Sequence, residues 1–169
     1  MNMLKSLNEA ILQLPSLLRK PEIWKSLLID YDHPVVERVY TGLPNGNRLS
    51  LHVIHPCDEN QVFFHPHPWP SAVYIASGNY KMKVGYGSGL KTPTISHTLV
   101  LAQGSSYEMT DPNSWHSVQP EDSESCSVML SGPEWNREMP KMPESRLRPL
   151  TEDRKIEIMQ VFRGITVGF

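Results

Sequence analysis

The chain has only two cysteines, Cys57 and Cys126, in 169 residues. That excludes a disulfide framework and suits reduced thiols in a cytoplasmic protein, with their pairing left open. Charge of either sign is not in excess. Lys and Arg number 16 against 18 Asp and Glu, for a formal net charge of −2. Without a basic surplus or a basic run, nothing marks a nucleic-acid footprint. No apolar stretch approaches the roughly 20 residues of a membrane span. A secretory leader is not expected either, because Lys5, Glu9 and Gln13 interrupt the apolar residues of the first turns. There is no internal repeat and no linker. What the chain does have is 15 prolines and 7 histidines. Prolines are about 9% of the residues against a usual ~5%.

The length suits one domain, with a core large enough to fold without a staple. The first 34 residues read as a helical segment. Leu4, Leu7, Ile11 and Leu14 recur at helical spacing and Pro15 follows them. Pro21 suits the first turn of a second short helix carrying Ile23, Trp24, Leu27 and Leu28. From Val35 to about residue 133 the period changes to two. Strands are predicted at 35–40, 48–55, 62–67, 72–76, 80–86, 95–102, 105–109, 114–118 and 125–131. Turn residues separate them, among them Asn45-Gly46, Ser77-Gly78-Asn79 and Asp111-Pro112-Asn113. So many short strands predict a sandwich or barrel. Residues 134–169 should form a proline-bearing strap and a last helix. Thr151 is its N-cap, Ile156, Met159 and Phe162 form its apolar stripe, and Gly164 is its end.

The sharpest feature is Phe64-His65-Pro66-His67-Pro68-Trp69-Pro70. Residues two apart on a strand face one side, so His65 and His67 point together. Two converging imidazoles are half of a metal site. Pro66 cannot donate to a ladder, which places this strand at an edge or irregularity. A third histidine, His116, follows the turn Asp111-Pro112-Asn113 on a separate strand. Three histidines from two strands make a facial set with open positions for substrate, water or oxygen.

At this point the sequence resembles the cupin superfamily. His65 and His67 match the HxH of its first motif, and Gly78 falls at that motif's glycine. Gly104, the Pro112 turn and His116 match its second motif with one extra residue. The matched stretch spans about residues 35 to 133. Ser71 stands where the motif's glutamate would be. The resemblance implies a mainly β fold, a double-stranded β-helix or jelly-roll barrel with an N-terminal helical segment and a C-terminal helix. Three-histidine cupins include the thiol dioxygenases, such as cysteine dioxygenase. Arg38, followed by Asn45-Gly46, matches the placement of their substrate-carboxylate arginine, and residues 127–133 resemble their late pocket strand. That strand's Ser-His-Tyr set is here Ser127, Met129 and Ser131, and no cysteine stands near His67.

The resemblance implies a metal on His65, His67 and His116, with Fe(II) first among the divalent ions and Zn, Ni or Mn as alternatives. Expected substrate-binding residues are Arg38, Arg48, Met129 and Ser131. Ser71, Tyr107 and Asp111 are expected around the ligands. No catalytic side chain is assigned. Glu108 is a weaker candidate ligand, and His52 and His55 are structural or pocket-lining. The expected activity is that of a small-molecule dioxygenase, acting on a carboxylate or thiol, with a homodimer left open as the assembly. A non-redox isomerase, hydrolase or binding module stands as the alternative. A structural or interaction protein with a vestigial pocket is a third reading.

Overall fold

The computed structural model describes residues 2–88, 90–136, 138 and 147–166. Helix α1 (Met3–Leu17) opens the chain and helix α2 (Glu152–Thr166) follows the last strand. Between them run β1 (Lys25–Ile29), β2 (Val36–Gly42), β3 (Arg48–Ile54), β4 (His65–Pro66), β5 (Ser71–Ser77), β6 (Asn79–Tyr86), β7 (Ile95–Ala102), β8 (Ser106–Met109), β9 (Ser114–Gln119) and β10 (Ser125–Ser131). They form two sheets, in the orders β1-β2-β3-β10-β5-β8 and β4-β9-β6-β7. Every pairing between named strands is antiparallel. The mainly β architecture with a helix at each end is the one expected.

Strand alternation divides the six-stranded sheet into two unlike faces. Leu49, Leu51 and Val53 of β3, with Val128 and Leu130 of β10, point outward. Met3, Leu7, Ala10 and Leu14 of α1, with Ile158, Met159 and Phe162 of α2, cover them and complete the larger core. The intervening residues Arg48, Ser50 and His52 share the other face with Ser127, Met129 and Ser131, which pair with them across the β3–β10 ladder. Ile54, Ile75, Tyr80, Met82 and Val118 close that interior as a smaller apolar cluster between the sheets.

Two motif glycines are needed for the turns. Gly78 has φ +74, and a Cβ there would lie 2.7 Å from the Glu124 carbonyl oxygen. It reverses the chain from β5 into β6, from one sheet to the other. Gly104 has φ +87 and turns β7 into β8. Both values lie in the left-handed region that glycine enters without a Cβ penalty.

Several expectations about elements are corrected. Residues 25–29 are strand, not a second helix. A short apolar run carries both periods, and here an open edge of β2 decides: Leu27 pairs with Arg38, and the Leu28 N–H donates to the Arg148 carbonyl at 2.7 Å. Only a 3₁₀ turn (Pro21–Ile23) precedes it. Pro15 lies inside α1 rather than after it. The strand predicted at 62–67 shrinks to two residues, since Pro66 and Pro68 cannot donate. It does lie at a sheet edge, as Pro66 implied. Thr151 caps α2, its Oγ1 accepting from the Arg154 N–H at 3.2 Å, but the helix runs past Gly164 to Thr166. Of the expected strap, Pro140 and Pro143 lie outside the described residues. Arg148 bridges to β1.

Leu51 is fully buried at the centre of the helix-covered face. Leu51→Ala should cost about 2–5 kcal/mol, measured by urea denaturation. A loss below about 1 kcal/mol would contradict the packing described.

Candidate metal centre

The ladder between β4 and β9 sets His65 directly opposite His116. Two residues on, His67 returns to the same side. The three ring pairs lie 5.0 Å (His65–His116), 5.4 Å (His65–His67) and 4.5 Å (His67–His116) apart between centroids. One nitrogen from each of the three lies within 4.8 Å of the other two.

The remaining contacts orient the rings. His65 Nδ1 lies 3.2 Å from the Phe63 carbonyl, and that ring stacks on Phe63. His67 Nδ1 lies 3.2 Å from Ser71 Oγ. Hydrogen bonds at Nδ1 leave both Nε2 atoms free to ligate, the pattern usual for metal-bound imidazole. His116 Nε2 faces His67 Nε2 at 2.9 Å, while its buried Nδ1 has no partner. Burial holds His65 below the ordinary imidazole range, and both His67 and His116 well below it. Neighbouring imidazoles and the Arg38 guanidinium press His67 further down. Neutral rings are the form that binds a metal. Two nitrogens about 2.1 Å from one ion, at right angles to each other, would be about 3 Å apart. The 2.9 Å spacing therefore fits a shared divalent ion.

No family model and no curated protein matches this chain. Solved structures do. Hydroxypropylphosphonic acid epoxidase from S. wedmorenis matches with a TM-score of 0.51 at 13% identity, over 66% of this chain and 56% of that one. Ectoine synthase from P. lautus matches at TM-score 0.46 and 18% identity, over 72% and 80% of the two chains. The EutQ protein of Clostridium difficile matches at 0.47 and 8%, over 63% and 75%. This is a cupin fold. The aligned part spans little more than half of the epoxidase.

Around the three histidines, the inner face of the cupin barrel is polar. Arg38 and His52 are cross-strand partners, and Arg38 Nε donates to His52 Nε2 at 2.8 Å. Burial, then the charges of Arg38 and Arg48, hold His52 well below its usual range, so it accepts as a neutral ring. Arg48 lies over Trp69, its guanidinium carbon 4.3 Å from the ring centroid. Met129 and Ser131 are buried on the same face, and Ser131 Oγ lies 3.5 Å from the Arg48 carbonyl. Tyr107 is 6.5 Å from the His116 ring, and its hydroxyl accepts from Tyr80 at 3.1 Å.

Asp111 and the weaker candidate Glu108 lie elsewhere, and His55 takes a structural place. The Asp111 carboxylate accepts from the Asn113 N–H at 2.8 Å and shapes the turn before β9, as Asx residues do. It makes no hydrogen bond to a histidine among the described residues. Glu108 points off the opposite face of β8 and accepts from the Leu4 N–H at 3.1 Å, at the start of α1. His55 lies between two carboxylates, 3.2 Å from Glu37 and 3.0 Å from Glu124. Sequence reasoning missed the Arg38–His52 bond, the shelf of Trp69 under Arg48, and Ser50. The two-residue alternation of Arg48-Leu49-Ser50-Leu51-His52 was the signal for Ser50 and His52. The shelf had none.

His52, His65, His67 and His116 each ionise less readily in the fold than in the unfolded chain. As pH falls through about 6.5, the unfolded chain therefore takes up more protons. Stability is full above that pH and is lost below it. Metal-free protein should lose unfolding free energy between about pH 7 and about pH 5, read by urea titration. His52→Gln should flatten that dependence. A pH-independent stability over the window would show that the rings are not buried neutral.

Proposed function

We propose that the chain is a single-domain, cytoplasmic cupin metalloenzyme, a small-molecule dioxygenase whose Fe(II) is held by His65, His67 and His116. One observation carries this: three neutral imidazoles that converge within 4.8 Å inside the barrel. Two of them are already oriented through Nδ1. An Fe(II) form of the epoxidase, on the same fold, gives a precedent at low identity. With three imidazole ligands, Fe(II) would keep open positions for substrate and oxygen and would relay electrons from the substrate, which is oxidised, to the oxygen.

The chain's own residues do the rest in this reading. Arg38 and Arg48 hold the negative group of a carboxylate or thiol substrate. Met129 and Ser131 floor the pocket from β10. The Phe63 carbonyl, which can only accept, fixes the tautomer of His65, and Ser71 holds the His67 ring in place. Tyr107 offers a phenol beside His116 whose pKa burial has pushed up to about 12, so it stays protonated and can donate. The cytoplasmic placement draws on two free thiols, Cys57 and Cys126. A homodimer is part of the same proposal.

Wild-type protein, reconstituted with Fe(II) without oxygen, should retain about one ion per chain and consume oxygen with candidate thiols or diketones. His65→Ala should lose both. Protein that takes up no metal would sink the proposal. Full function with Zn, or no oxygen uptake with any substrate, would instead favour the non-redox isomerase, hydrolase or binding module. Ser71→Ala keeps all three ligands but frees the His67 ring. It should weaken metal affinity about 10–100-fold, measured by chelator competition. Unchanged affinity would remove Ser71 from the site.

A further inference from the structure

Two guanidinium groups face the pocket, and neither is paired with a carboxylate among the described residues. Arg48 Nε and Nη2 are shielded from solvent and have no hydrogen-bond partner. The group is held by aromatic faces, Trp69 at 4.3 Å and Tyr40 at 5.9 Å from its carbon. Arg38 makes one side-chain hydrogen bond among the described residues, to the neutral His52. Its terminal nitrogens are left uncommitted. Neither arginine forms an ion pair among the described residues.

None of the nearby acids forms an ion pair with either arginine among the described residues, Asp32 included, although its charge reaches His65 and Tyr31. Glu37 points off the opposite face of β2, where Arg154 and His55 hold it. Glu134 is exposed, and its charge reaches Arg48 without forming an ion pair. Both guanidinium charges reach His67 and His52, so they share one interior with the histidines. Ser50 lies on β3 between Arg48 and His52, on the same face. It is fully buried and its hydroxyl has no partner.

Buried donors without acceptors on Arg48, and uncommitted terminal donors on Arg38 beside it, are the complement of concentrated negative charge. A single carboxylate could satisfy one fork and would leave the other unmatched. We infer that this pocket binds a dianion, a dicarboxylate or a phosphate-type group, across Arg38 and Arg48 with the Ser50 hydroxyl as a further donor. The inference rests on the proposed pocket and narrows its substrate class.

The test uses the full chain, metal-loaded, with metal content measured on each sample. Isothermal titration compares succinate and inorganic phosphate, both dianions at mildly alkaline pH, with butyrate. At least one dianion should bind about tenfold more tightly than butyrate, the scale of one charge-assisted hydrogen bond. Which of the two binds tells a dicarboxylate site from a phosphate site. Arg48→Gln should bring the dianion down to the butyrate level. Equal affinities, no measurable binding at millimolar concentration, or an Arg48→Gln protein that keeps the preference would each overturn the inference. Should that variant fail to fold by circular dichroism, the wild-type series decides alone. Protein that takes up no metal on reconstitution yet still prefers a dianion would defeat the metal proposal and keep this inference. Metal-loaded protein without the preference would do the reverse.

Discussion

The structure depends on burying a polar interior of neutral imidazoles and two guanidinium groups between two sheets. Imidazoles and guanidiniums are costly to remove from water unless they are paired or neutral. The fold meets that constraint by placing Arg38, Arg48 and His52 on one side of β2 and β3 and the apolar residues on the other. The apolar side is then the one that must be covered, and α1 and α2 cover it. The helices are therefore not appendages. They let the strands spend their inner face on a site instead of on a core.

The register of a two-residue strand matters most within that arrangement. β4 contributes only His65 and Pro66 to the ladder, yet it sets His65 against His116. The prolines on either side of His67 remove donors and stop the ladder there. The segment is then secured by carbonyls that accept from the far side: Pro68 from the Trp135 N–H and Pro70 from the Gly132 N–H. The excess of prolines thus has a local purpose around the histidines, where a rigid edge serves better than a longer strand.

Much of this was legible from spacing. His65 and His67 at two residues, Gly78 and Gly104 at reversals, and the long β stretch each follow from local geometry, and each has its expected place in the fold. The N-terminal residues show where such reading stops. Ile23, Trp24, Leu27 and Leu28 satisfy a helical spacing, but the free edge of β2 and the Arg148 carbonyl turn residues 25–29 into a strand. Glu108 likewise could not be assigned from its position beside the second motif. Its strand phase sends it outward to cap α1.

The sequence by itself determined the alternation of faces, the turns and the three histidines, because those depend on neighbours a few residues apart. The tertiary structure alone decided the electrostatics of the pocket. It brought Arg38 to His52, laid Arg48 on Trp69, and turned Glu37, Glu108 and Asp111 away from the cluster of His65, His67 and His116. The physical reason is that a buried charge is set by what surrounds it in space, and those surroundings come from strands distant in the chain.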